Sequence, residues 1–318
     1  MSGCVRRKRV ESKRTTLLLE VKIIMQRLRS IVTRAAAAAT ALAMAAAIAV
    51  PAVAATGNAK IALPASIAKT GVIRVGSHIN YPPAEFYPAG SHKIVGFEYD
   101  LMQAVGQRLG VKMTWTDTPF AGIIPALYAG RFDIIVTAMS DTPEREKRVA
   151  YVDYFLAGSS ILVKKGNAEG IHGIADLCGK SVDVELATSE DRQLKAASQD
   201  CVAKGKPAIS LLEFDSDSGA FEQLKIGRSV AHVTDFPVAA YLASSEAAGN
   251  AYEVTGSQFD VSPYGIGIRT DQPELLKAIQ AGLQAVIDSG EYAKILKKWN
   301  VSQGAVTKAE INGGAHYK

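Results

Sequence analysis

The stretch "FDIIVTAMSDTPER", Phe132 to Arg145, decides how the rest of the chain is read. Its first half is the continuous apolar run of a strand buried on both faces. Its second half sets two hydroxyls, two acids, a proline and an arginine just past that strand, where open α/β sheets build their ligand sites. Pro143 is suited to open a helix, which would aim backbone N–H groups and a positive helix end at an anion.

Outward from this stretch the pattern is strand, loop, helix, repeated. "VIRVGS" (72–77) reads as a buried strand, and "FEYDLMQAVGQRLG" (97–110) as an amphipathic helix with Leu101, Val105 and Leu109 four apart and Gly110 as its stop. "VKMTWTDT" is a second strand, "GIIPALYAG" a short helix, and "FDIIVTA" a third strand. After "GSSILVKKGN" (158–167) the alternation restarts with a strand at Ser181–Leu186. The helix "SEDRQLKAASQDCVAKG", the strand "AISLLEF", the helix "SGAFEQLKIG" and the strand "SVAHVTD" follow. "SPYGIGIRT" (262–270) is a second transition. The chain then runs helical from Pro273, apart from a break at Ser289-Gly290, and this helix is expected to pack back on the first lobe. The fold class is therefore α/β with two lobes, each a mixed, mostly parallel sheet flanked by helices. Two chain crossings form the hinge. The expected division is residues 70–160 plus 262–302 for lobe 1, 161–261 for lobe 2, and a flexible polar tail over 303–318.

The chain of 318 residues is 48% hydrophobic and 21% charged, as a globular protein is. Its formal charge of +5 comes from one end. Residues 1–54 hold ten Lys/Arg against two acids, whereas the remainder holds 26 against 29. That remainder has no basic run interleaved with aromatics, so nucleic acid is not an expected partner. "MQRLRSIVTR" (25–34) followed by the largely apolar stretch of sixteen "AAAAATALAMAAAIAV" and then Ala52-Val53-Ala54 has the order of a secretory signal peptide. Residues 1–54 are thus expected to be a leader, with Met25 a candidate true start, and the mature protein is expected in the periplasm. An oxidising compartment makes Cys178 and Cys201 a candidate disulfide closing a loop of about 24 residues; two separate buried thiols are the alternative. His78, His92, His172, His232 and His316 lack ligand-like spacing, and neither metal nor cofactor is expected.

Five segments, "GFEYDLMQAVGQRLG", "AGIIPALYAGRFD", "MSDTPEREKRVAYVDY", "DLCGKSVDV" and "VTDFPVAAY", resemble in this order the extracytoplasmic solute-binding proteins of amino-acid ABC importers, bacterial solute-binding protein family 3. The resemblance spans about residues 70–300. It implies a monomer that binds an amino acid or related small carboxylate between its lobes and delivers it to a membrane ABC permease.

In that resemblance Arg145 grips the ligand α-carboxylate, because a guanidinium fork pairs bidentately with a carboxylate as lysine cannot. The alternative is an ion pair with Glu144, Glu146 or Asp141. Ser140 matches a hydroxyl partner of the same carboxylate, and Ala138 belongs to the same segment. Thr188 and Ser189 match the hydroxyl and N–H offered by the second lobe. Ala187 stands where glycine is usual, which disfavours a left-handed backbone there. Asp235 matches the partner of the α-ammonium, with a helix N-cap as its alternative. Tyr81 and Phe120 match rings that flank the ligand side chain, and Ala84 stands where an aromatic is common. His78 occupies a position that is often acidic in binders of basic amino acids, which weighs against lysine or arginine as ligand; a structural hydrogen bond is the alternative. Two other readings share the fold: a cyclohexadienyl-dehydratase-like enzyme with an acid from Glu185 or Glu190, and a sensory ligand-binding module. Both glutamates read more simply as solvated surface carboxylates.

Overall fold

The structure, a computed structural model, describes residues 61–244 and 250–317. The leader lies outside the described residues. In chain order the first lobe starts with helix α1 (Ala65–Thr70) and strands β1 (Val72–Ser77), β2 (Asn80–Tyr81) and β3 (Glu85–Phe86). Helix α2 (Phe97–Leu109), β4 (Lys112–Asp117), α3 (Ile123–Tyr128), β5 (Ile134–Ile135) and the single turn α4 (Pro143–Glu146) follow. The long strand β6 (Val149–Lys164) then crosses to the second lobe. That lobe holds β7 (Ser181–Glu185), α5 (Ser189–Ala203), β8 (Ser210–Phe214), α6 (Asp217–Lys225), β9 (Ala231–Asp235) and α7 (Phe236–Ser244). The equally long β10 (Tyr252–Arg269) returns to the first lobe, which α8 (Pro273–Asp288) and α9 (Glu291–Lys298) complete.

The main sheet has the order β4-β1-β5-β10-β6-β9-β7-β8. At one end β1 pairs in parallel with β4 and β5; at the other β7 pairs in parallel with β8 and β9. The antiparallel β6–β10 ribbon joins the two halves, with register shifts between Thr255 and Phe259, Phe259 and Ser262, and Tyr264 and Gly265. Such irregularities bend a ribbon and raise its twist. They fall where the chain passes between lobes, which makes this ribbon the hinge.

Each lobe has its own core. In the first, Leu101 and Val105 of α2 and Ile279 and Leu283 of α8 pack around Ile73, Val75 and Ile134. Gly282 lets these helices approach, since a Cβ there would lie 3.1 Å from Leu109. The second core gathers Leu177, Val182, Val184, Leu194 and Val233. It is tied by the Cys178–Cys201 disulfide, which links the turn before β7 to the last turn of α5. Beneath β9 a fully buried His232 sits between Asp183 (2.5 Å) and Asp217 (3.2 Å).

Two expectations are corrected. "FDIIVTA" is strand only at Ile134–Ile135, because the chain leaves the ladder to reach Ala138, whose φ is +46°. The segment after residue 302 is not a frayed tail. Ile311 bridges Val152, the Glu310 carbonyl accepts from Asp153 N, and Ala309, Gly313 and Gly314 are buried. Its polar groups find backbone partners along β6, so composition alone misjudged it.

Candidate functional site

The carboxyl ends of the strands, and the loops after them, converge on one cavity between the lobes. The first lobe contributes His78, Asn80 and Tyr81 after β1, Phe120 from the short turn before α3, Thr137, Ala138 and Ser140 after β5, and Arg145 from α4. The second contributes Glu185 at the end of β7, Thr188, Ser189 and Glu190 at the start of α5, and Asp235 at the end of β9. All nine candidate residues named from the sequence line this one space. Ala84 does not: it lies in the first core, with its carbonyl accepting from Glu98 N.

Arg145 is placed by local chemistry. Thr142 caps α4, its Oγ1 accepting from Arg145 N at 3.3 Å, and Pro143 takes the first helical position. The side chain turns inward and is only 8% exposed. Nη1 donates to the Ser140 carbonyl (2.9 Å), Nη2 donates to the Ala187 carbonyl (3.3 Å), and the guanidinium lies 5.3 Å from the centre of the Phe120 ring. Among the described residues no carboxylate comes within 4 Å of it; Glu144, one alternative partner, faces Arg192 instead. Burial lowers its pKa, with Tyr151 acting the other way. A buried guanidinium with only two carbonyl partners has donors to spare and no carboxylate in contact, which is the condition of an anion receptor.

The opposite wall is acidic. Asp235 is 6% exposed, and the Tyr81 hydroxyl donates to its Oδ2 at 2.9 Å. Burial, then Glu190, hold its pKa well above the usual carboxylate range. Glu190, 4% exposed, accepts from Ser159 Oγ at 2.6 Å. Glu185, 5% exposed, meets His78 Nδ1 at 2.8 Å, and burial raises it to about 7 despite that hydrogen bond. The reading of Glu185 and Glu190 as solvated surface groups is thus overturned. Each sits where the sheet meets the cleft, and the sequence signal was the same as for Asp235: an acid at or just past the carboxyl end of a strand. Asn80 and Thr137 were also missed. Asn80 Nδ2 lies 2.8 Å from His78 Nε2 and orients the imidazole, while Thr137 Oγ1 accepts from the backbone N–H of His78 at 3.0 Å and holds the main chain there.

Ala187 is left-handed, with φ +66°, despite its Cβ. Asp191 Oδ2 accepts from its N–H (3.1 Å) while its carbonyl receives Arg145, which fixes the conformation that the side chain disfavours. The Thr188 hydroxyl is not free for a ligand: it accepts from Asp191 N as the cap of α5 and donates to the Glu185 carbonyl. Ser140 and Ser189 meet across the cleft at 3.0 Å between their hydroxyl oxygens. With His78–Glu185, Tyr81–Asp235 and Arg145–Ala187, this pair holds the lobes shut.

A layer below, Glu98 Oε1 accepts from Ala138 N (2.9 Å) and from the Tyr154 hydroxyl, and Thr137 Oγ1 donates to Glu85 Oε1 (2.9 Å). Burial lifts Glu98 to about 7 and Glu85 well above the carboxylate range. This buried pair clamps the chain at 137–138 into its cleft-facing course.

Two sheet-based lobes on a two-stranded hinge, closing over a cavity with a cation on one wall and acids on the other, define a substrate-binding protein of the hinged type. The chain belongs to the bacterial extracellular solute-binding proteins, family 3, which it matches over residues 73–302. It is 29% identical over 251 residues to the arginine-binding protein ArgT of Corynebacterium glutamicum, covering 79% of this chain and 81% of that one. To the ABC transporter arginine-binding protein 1 of Escherichia coli K12 it is 30% identical over 229 residues, 71% of this chain and 90% of that one. An ancestral arginine-binding protein solved with arginine bound is 38% identical, with a TM-score of 0.66 over 72% of this chain and 98% of that one. These relatives are substrate-binding proteins rather than enzymes, and the dehydratase reading is not favoured. Among the described residues no helix is long and apolar enough to cross a membrane.

Proposed function

We propose that this chain captures an α-amino acid with a cationic side chain in the periplasm, after removal of its leader, and delivers it as a monomer to an ABC permease. The observation that carries the reading is charge placement: one buried guanidinium without a carboxylate partner, facing three buried carboxyl groups. Arg145 and Ser140 take the ligand carboxylate, and the N–H groups at the start of α5 join when the second lobe closes. Asp235, with Glu190 beside it, takes the ammonium, and its raised pKa falls as that cation arrives. One acid then remains. Glu185 balances a further positive charge on the ligand side chain, while Tyr81 and Phe120 cover its aliphatic stem. The histidine at 78 therefore does not count against a basic ligand, because the acid comes from the other lobe. The relatives named as arginine-binding support the same class.

Binding and closure are one equilibrium. The ligand shifts the lobes toward the shut form only through contacts that the open form lacks. The test is a thermal-shift and calorimetric screen of the purified protein against the amino acids. Arginine, lysine or ornithine at about a thousand times Kd should add roughly 4 kcal/mol of stability, or ~8–16 °C in melting temperature. Glu185→Gln should narrow the preference for arginine over glutamine. Strongest stabilisation by glutamate or aspartate would overturn the assignment.

A further inference from the structure

The segment Glu310–Gly314 lies beyond the part of the chain that matches the family, residues 73–302, yet it packs against the back of the loop that carries Arg145. The contacts are specific. Gly314 N donates to Asp141 Oδ2 at 3.0 Å, and Gly313 N donates to Asp153 Oδ2 at 2.9 Å. Asn312 Oδ1 accepts from Tyr151 N at 2.8 Å, Asn312 N donates to the Tyr151 carbonyl, and Asp153 N donates to the Glu310 carbonyl. Gly314 is required by space, since a Cβ there would lie 2.3 Å from the Asp141 carbonyl oxygen, and a Cβ on Gly313 would lie 2.6 Å from Asp153 Oδ2 and push that side chain aside.

What this segment grips bears directly on the guanidinium. Asp141 stands between Ser140, whose carbonyl receives Arg145 Nη1, and Thr142, whose hydroxyl caps the turn at Arg145 N. Tyr151 packs in the same small cluster as Met139, to whose sulfur its hydroxyl donates. Pro263, from the hinge strand, holds the other side of Asp141 through its carbonyl. Burial, and after it Asp153, raise Asp141 to about 8, so the backbone N–H of Gly314 meets a carboxyl group that is poorly solvated and needs a donor.

We propose that Glu310–Gly314 is a positioning strap: it fixes the Ser140–Arg145 loop so that the guanidinium presents its free edge to the ligand carboxylate. The inference rests on the reading of Arg145 as carboxylate receptor. It makes the residues after 302 part of the binding machinery without touching the ligand.

The test uses the full chain, Gly314→Ala, and a form ending at Ala309, each titrated with L-arginine and with L-argininamide, which lacks the carboxylate. Hydrogen exchange at residues 140–146 is followed in parallel. A strap predicts a loss of about tenfold or more for arginine, with much less for the amide, so that their ratio collapses, and faster exchange over 140–146. Leu283→Ala, which weakens the first core away from the strap, should lower the melting temperature and leave the ratio intact. If either strap variant folds with an unchanged ratio and unchanged exchange at 140–146, the strap is wrong. If the parent itself binds neither compound, the proposed function fails, and the exchange at 140–146 alone then decides on the strap.

Discussion

Replacing Arg145 with alanine separates affinity from stability. In the closed cavity the guanidinium has two carbonyl partners, Ser140 at 2.9 Å and Ala187 at 3.3 Å, and a cation–π contact with Phe120. Its remaining donors are left for a carboxylate. Two charge-assisted hydrogen bonds at ~1.5–3 kcal/mol each amount to ~3–6 kcal/mol, or about 10²–10⁴ in Kd at 1.4 kcal/mol per decade. The ligand-free protein should respond quite differently. It loses the carbonyl contacts and the ring, but it also sheds a buried cation with no carboxylate in contact, whose desolvation alone costs several kcal/mol. The melting temperature of the empty protein should therefore move by a few degrees at most while arginine binding drops at least a hundredfold. Arg145→Lys should fall between, since the charge remains but the planar fork is lost. Calorimetry with L-arginine reads the affinity and scanning calorimetry the stability. An alanine variant that binds within fivefold of the parent would refute the reasoning.

Two further outcomes follow from the buried charges and from the strained backbone. Outside the cavity wall, several buried groups hold protons in the folded chain at pH values where they would lose them unfolded. Burial raises Glu98 and Asp153 to about 7 and Asp141 to about 8; for His232 burial acts downward, but Asp217 and Asp183 outweigh it and lift it to about 10. Their stabilisation is complete below the unfolded values, about 4 for the carboxyls and 6.5 for histidine, and is lost as pH rises through the folded ones. The melting temperature of the empty protein should accordingly decline from about pH 5 to pH 10, and a curve that rises across that range would contradict the protonation pattern. Ala187→Gly should remove a left-handed penalty of ~1–2 kcal/mol, partly offset by ~0.4–1 kcal/mol of extra unfolded-chain entropy. The net gain is a melting temperature higher by roughly 1–4 °C; a lower one would show that the alanine is not strained.

The local parts of this site were legible in the sequence. Pro143 announces the turn that carries Arg145 and Gly110 stops α2, because such residues act on hydrogen bonds within a few residues of themselves; the capping by Thr142 and Thr188 came only with the structure. The order of strands and helices was legible too, since the apolar period reports which faces are buried. The resemblance across five segments then brought nine residues to one cavity.

What lay beyond the sequence was the ionic state of that cavity. Glu185 and Glu190 look like any surface acids between "DV" and "DR", and only the meeting of two lobes removes water from them. The pairing of His78 with Glu185 spans 107 residues, and that of Gly314 with Asp141 spans 173. Propensity and capping are settled by neighbours along the chain, so a sequence carries them openly. Desolvation, pKa and the identity of a charge's partner depend on which distant segments pack together, and for this protein the closed arrangement of the lobes and the seating of the chain's last turn decided them.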